Sequence, residues 1–255
     1  MRRRLFQLCL VVLALAGPAS AAKAETCRDW RFGAASYIVC TFDPAKDDMR
    51  LFWQKPNGRP YRTFSALSRG LENEGRSLVF AMNGGMYESN FSPVGLHIED
   101  GRQLAKVNTK TIKGRPSQVP NFYKKPNGVF YWGAGDAGVL ETGQFLAQRP
   151  KARFATQSGP MLVIDGVIHP AFLVKSRDFK PRNGVGVTED GKVHFVMTRG
   201  RVSFYEFARV FRDGIKAPSA LFLDGGTAPG LFAPSLRRND PPSHGGYGPI
   251  IAVVK

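Results

Sequence analysis

Apolar residues along this chain fall in short runs separated by Gly, Pro, Asn and Asp, a pattern of many strands and few helices. Ser36–Phe42 and Met49–Trp53 read as the first two strands. Lys55-Pro56-Asn57-Gly58 marks a turn, because Asn-Gly favours tight bends, and Lys125-Pro126-Asn127-Gly128 repeats it. Thr63–Gly75 predicts a helix, with Thr63 as cap, Gly75 as stop, and Phe64, Leu67 and Leu71 on one face. Further on, Val94–Ile98 with Gln103–Val107, Val129–Trp132 with Gly138–Glu141, and Met161–Ile164 with Val167–His169 read as hairpins. Residues 108–120 read as a polar, basic loop long enough for a lid or a plain excursion. A second helix follows the strand Val193–Thr198. Ser203 and Glu206 have capping-box spacing, Phe204, Phe207, Ala208 and Phe211 share a face, and Gly214 stands at the stop. The chain closes on Pro249–Val254, apolar on both faces. The fold class expected is α+β, a strand-dominated mixed sheet core with a few flanking helices.

Two of these runs end alike. Leu78-Val79-Phe80-Ala81-Met82 runs into Asn83-Gly84-Gly85, and Ala220-Leu221-Phe222-Leu223 into Asp224-Gly225-Gly226-Thr227. Each is a buried strand finishing in a short polar side chain and a Gly pair. Such ends can gather at one sheet edge, where open sheets hold ligands. They are equally what two tight turns would use.

The length, 255 residues, suits one domain, and 43% hydrophobic with 22% charged residues is ordinary globular composition. Residues 1–24 fall outside that domain. Arg2, Arg3 and Arg4 precede the apolar run Leu5–Ala16, and small residues from Pro18 to Ala24 offer cleavage after Ala22 or Ala24. This is the pattern of a secretory signal peptide, too short for a membrane span. A single domain over residues 25–255 is then expected, periplasmic or secreted, with no transmembrane segment after cleavage. Cleavage removes Cys9 and leaves Cys27 and Cys40, an even pair that reads as a disulfide in an oxidising compartment. It also removes four cations and no acid from a formal net charge of +16. The remaining basic excess suits an anionic partner such as an envelope surface. Residues 101–135 carry Arg102, Lys106, Lys110, Lys113, Arg115, Lys124 and Lys125 without an acid. Nucleic acid is not expected, since neither a recognition-helix pattern nor an aromatic RNA-binding signature is present.

Five motifs occur in one order: Asn83-Gly84-Gly85-Met86-Tyr87, Pro93-Val94-Gly95, Ser158-Gly159-Pro160, Arg182-Asn183-Gly184-Val185-Gly186 and Leu223-Asp224-Gly225-Gly226. Together they resemble the phosphodiester glycosidase family over roughly residue 75 to the C-terminus. Thr227-Ala228-Pro229 departs from the Gly-Ser continuation common in that family, and Met86-Tyr87 from the usual aromatic pair.

The resemblance implies hydrolysis of a sugar from a glycosyl phosphodiester, in envelope or exported glycan. A phosphate monoester leaves without much protonation, so the general acid of ordinary glycosidases matters less. The site then needs a cation for phosphate, a carboxylate near the anomeric carbon, and donors that orient the sugar. Arg182 is expected to grip phosphate. Asp224 is expected to serve as nucleophile, base or charge stabiliser, and Glu88 is the next acid, or else a plain loop glutamate. Asn83 could bond sugar hydroxyls, and Ser158 with the Gly159 amide could donate to phosphate or sugar oxygen. Gly84, Gly85, Asn183, Gly225, Gly226, Thr227 and the glycine-loop residue His244 complete the expected binding set. No cofactor is required, although Asp224 and neighbouring carbonyls would suit Mg²⁺ or Ca²⁺. His97 and His194 lie in strand-like runs and read as structural. Two other functions fit the same residues: a non-catalytic binder of phosphorylated glycans, and a phosphodiesterase cutting the P–O bond.

Overall fold

The computed structural model describes residues 26–115 and 118–255. The leader expected over residues 1–24 lies outside the described residues. Three sheets make up the fold. The seven-stranded sheet runs from Cys27–Phe32 at one edge through Ala35–Phe42, Val193–Thr198, Arg182–Val187, Ser219–Gly225 and Met161–Ile164 to Val167–Ile168. A five-stranded sheet orders Arg238–Asn239, Leu231–Ala233, Leu78–Asn83, Ile250–Val254 and Asp48–Phe52. The other five-stranded sheet orders Arg102–Ala105, His97–Glu99, Phe154–Ser158, Gly128–Gly133 and Asp136–Glu141.

The chain is strand-dominated α+β, as expected. The expected mixed pairing is corrected: among the described residues, the ladders pair antiparallel. Short hairpins make the pairs between sequence neighbours, such as Cys27–Phe32 with Ala35–Phe42, while others, such as Ala35–Phe42 with Val193–Thr198, join distant segments. Each sheet also holds a strand–helix–strand crossover: Val193–Thr198 and Ser219–Gly225 flank Arg182–Val187, and Asp136–Glu141 and Phe154–Ser158 flank Gly128–Gly133. In the remaining sheet, Asp48–Phe52, the helix Phe64–Glu72 and Leu78–Asn83 follow in sequence, but Ile250–Val254 inserts between the two strands and pairs antiparallel with both.

The strands read as unbroken apolar runs because both faces are covered. All three sheets turn one face to a common core that includes Ile38, Phe42, Leu51, Phe80, Met82, Phe130, Trp132, Leu221 and Ile251. One helix covers the other face of each sheet. Phe204–Arg209, prolonged by a π-helical turn Val210–Ile215, packs Phe207 and Phe211 against Val39, Val196 and Phe222. Phe64–Glu72 packs Leu67 and Leu71 against Ile250 and Ala252. Thr142–Gln148 packs Phe145 against Val129 and Ala155. The caps are those the sequence predicts in two cases: Thr63 accepts from Ala66 N–H at 3.0 Å, and Ser203 with Glu206 closes a capping box. The stop of the latter helix is Lys216 in the left-handed region, not Gly214, whose missing side chain makes room for the Trp30 ring. Cys27 and Cys40 are cross-strand partners joined by a disulfide. No described helix is long and apolar enough to cross a membrane.

Candidate active site

The two strand ends singled out in the sequence meet. Asn83 and Asn183 are fully buried, and Asn183 Nδ2 donates to Asn83 Oδ1 at 2.7 Å. Asn83 Oδ1 also accepts from Gly230 N–H at 2.9 Å. Asn183 Oδ1 accepts from Asp224 N–H at 2.9 Å. Backbone N–H groups can only donate, so Gly230 and Asp224 fix which way both amides face. The result is a polar tie joining two sheets directly behind Asp224.

The strand carrying Asp224 bulges at this point. Asn183 pairs with Asp224 and Gly184 with Phe222, leaving Leu223 extra. A bulge bends a strand and releases backbone groups from the ladder. Ser158, fully buried, donates Oγ to Leu223 C=O at 2.7 Å. Asn183 takes the Asp224 N–H. Gly226 then turns the chain at φ +70°, its N–H donating to Pro181 C=O at 3.0 Å.

Asp224 emerges into a cleft of about 650 Å³. Glu88, Gly225 and His244 line it, with an aromatic and apolar wall of Tyr87, Phe91, Phe122 and Tyr123. The Asp224 Oδ1 accepts from Gly225 N–H at 2.8 Å, and no cation pairs with the carboxyl among the described residues. Desolvation pushes its pKa up to about 7 from the ordinary 3.8, against the opposing pull of the Gly225 bond. Tyr87 donates to Gly246 C=O at 2.8 Å. Burial, then the Asp224 charge, pushes the Tyr87 hydroxyl up to about 12. His244 Nε2 is held by Thr227 Oγ1, and Ser243 Oγ bonds Thr227 C=O.

A raised carboxyl pKa makes stability depend on pH with a definite sign. The protonated form suits the folded chain, so ionisation destabilises it as pH rises from about 4 through about 7. Asp224→Asn removes that cost. The variant should exceed the parent in urea unfolding at pH 8 by about 1–2 kcal/mol, a figure discounted because the carboxyl keeps solvent access through the cleft. The gap should close at pH 4.

The structure thus brings Asp224, Glu88, Gly225 and His244 into one cleft, with Thr227 beside His244. It does not bring Arg182 there. The guanidinium is 1% exposed and lies 3.6 Å from the centre of the Phe204 ring. Its Nε donates to Val202 C=O at 3.0 Å and its Nη2 to Asp178 C=O at 2.9 Å. Burial pulls it down to about 10, with Asp178 opposing, so it stays charged while tying a helix and a loop to the sheet. The expectation that it grips phosphate is corrected, because the side chain is buried outside the cleft lining, with Nε and Nη2 held by Val202 and Asp178. Asn83, Asn183 and Ser158 are likewise corrected from ligand contacts to supports of Asp224. Gly84 packs tightly against Ile251, while Gly85 lies too close to Thr156 and Gly159 too close to Asn127 for a side chain to fit without a shift. His97 bonds Glu99, and His194 bonds Thr41 and Thr188.

Residues 76–253 match the phosphodiester glycosidase family. The chain belongs to that family. The uncharacterized protein YigE of Escherichia coli strain K12 is 34% identical over 185 residues, 72% of this chain and 70% of its own. The zebrafish N-acetylglucosamine-1-phosphodiester alpha-N-acetylglucosaminidase catalytic domain, auto-inhibited by its pro-peptide, superposes with a TM-score of 0.58. That match covers 89% of this chain and 81% of the other at 16% identity, and is a likeness of fold. A putative exported protein from Burkholderia pseudomallei K96243 gives 0.53, covering 86% and 74% at 14% identity.

The cleft of this family member also contains residues that no motif marks. Tyr87 stood inside the first motif, but Phe91, Phe122 and Tyr123 are far from any motif glycine in role. Their one signal was aromatic residues within otherwise polar loops. Among the described residues, no group of three or more His, Cys, Asp or Glu side chains gathers as a metal site. The acidic side chains a cation could meet in the cleft are Asp224 and Glu88.

Proposed function

We propose that this phosphodiester glycosidase family member hydrolyses a glycosyl phosphodiester by cleaving the glycosidic C–O bond. The observation that carries this reading is Asp224, a carboxyl poised near neutrality at the floor of an aromatic-walled cleft. The sugar would lie on the aromatic wall. Ionised Asp224 would support positive charge at the anomeric carbon or take the proton of the attacking water. The phosphate monoester leaves as an anion and needs no proton. Glu88 is a second carboxylate within the same cleft. The domain over residues 25–255 would act in the periplasm or outside the cell after removal of the leader. The Cys27–Cys40 disulfide and the basic surplus support work in an oxidising compartment near anionic envelope glycan.

The deciding experiment incubates purified protein with an α-glycosyl phosphodiester in ¹⁸O-water. Label in the released sugar is the expected result. Label in phosphate would mean attack at phosphorus, and saturable binding without turnover would mean a glycan binder. Either outcome rejects the proposal.

A further inference from the structure

The correction of Arg182 leaves the cleft without its expected cation, and a different arginine stands at the rim. Arg62 lies before the region matched by the family. It comes to the cleft through an isolated bridge to Tyr247, whose N–H donates to Arg62 C=O at 2.8 Å. The Arg62 guanidinium carbon sits 4.3 Å from the centre of the Phe91 ring, and Phe91 lines the cleft. Nε and Nη2 donate to Gly245 C=O, the residue after His244, with Nε at 3.0 Å. Among the described residues, Arg62 makes no ion pair and its Nη1 has no hydrogen-bond partner.

The backbone goes to some cost to hold this arrangement. Arg62 adopts φ +65° and Phe91 φ +67°, conformations that side-chain-bearing residues rarely take. Gly246 passes so close that a Cβ there would fall 2.8 Å from both Arg62 Cβ and the Phe91 ring. Phe91 in turn stacks with Tyr87, ring centres 5.8 Å apart, and Tyr87 feels the charge of Asp224. A planar guanidinium seated on an aromatic face, with one edge uncommitted and no ion pair, suits an oxyanion such as a phosphoryl group.

We infer that Arg62 is the anion-recognition residue of the cleft, holding the phosphoryl group of the diester through its free edge while the sugar lies toward Asp224. This rests on the glycosyl phosphodiester reading, but its test need not. Binding of inorganic phosphate to the full-length protein can be followed by calorimetry, alongside inhibition of sugar release. Arg62→Gly removes the guanidinium and relieves the positive φ. Phosphate should bind roughly tenfold or more weakly to this variant, with the unfolding temperature within about 3 °C of the parent. Arg62→Lys, charged but without the planar fork, should fall between the two. Unchanged phosphate affinity in Arg62→Gly, or absence of phosphate binding by the parent, overturns the inference. Loss of affinity that Arg62→Lys shares in full, with equal loss of thermal stability in both, marks a structural tie and also overturns it. If the parent binds phosphate through Arg62 but releases no sugar, the glycosidase reading fails and this one stands.

Discussion

Sugar release from a glycosyl phosphodiester is expected to fall by about 10²–10⁴ in kcat when Asp224 becomes asparagine, with KM little changed. The loss corresponds to about 3–5 kcal/mol of transition-state stabilisation, the scale of one well-placed carboxylate. Asparagine preserves shape and can still accept from Gly225 N–H, while the Asn183 bond goes to the backbone of residue 224 and is untouched. The fold should therefore survive, and the variant should be the more stable protein at pH 8, so lost activity cannot be blamed on unfolding.

The pH profile makes the same prediction sharper. With the Asp224 carboxyl at about 7, kcat/KM should climb roughly tenfold per pH unit below neutrality and level off above it, if the ionised form acts. A profile that falls through pH 7 would assign the protonated form instead, and with it a general acid. An activity unaffected by Asp224→Asn would transfer the chemistry to Glu88 or end the mechanism.

What the sequence made legible was the part encoded locally. A run of apolar residues closed by Asn83 or Asp224 and a Gly pair is a strand end whatever the rest of the chain does, and that the two ends meet is a natural use of them. Thr63 and Ser203 declare their helices by cap chemistry. The helix Thr142–Gln148 went unread because Glu141 supplies its cap and Gly143 sits in its first turn. The site residues failed where role depends on facing. Arg182 and Asn183 are neighbours on one strand, and alternation sends them to different surroundings. One inserts under Phe204 and the other serves Asp224. Chemistry favoured the guanidinium, but only the placement of Phe204, Val202 and Asp178 around it shows that it is buried away from the cleft. Arg62 was invisible for the opposite reason. It reaches the cleft by a contact with Gly245, 183 residues away, and by a backbone conformation no sequence pattern announces.

Asn83→Ala should be the most destabilising single change near the cleft. It leaves the Gly230 N–H and the Asn183 Nδ2 buried without their acceptor, each at about 1–3 kcal/mol. Part of this is offset, since Asn83 Nδ2 is itself unpaired in the folded protein and disappears with the substitution. A net loss of about 2–4 kcal/mol follows, seen as a fall of roughly 5–15 °C in unfolding temperature. Activity should fall as well, because Asn183 freed from Asn83 no longer fixes the Asp224 backbone. Asn83→Asp separates the two effects. In its protonated form the new side chain keeps both acceptor bonds, so stability should be largely restored at pH 4. A carboxyl in that dry setting has its pKa raised on folding, so the restored stability should drain away as pH rises. If Asn83→Ala instead unfolds within about 1 kcal/mol of the parent, the amide pair contributes little and some other contact must hold Asp224 at the cleft floor.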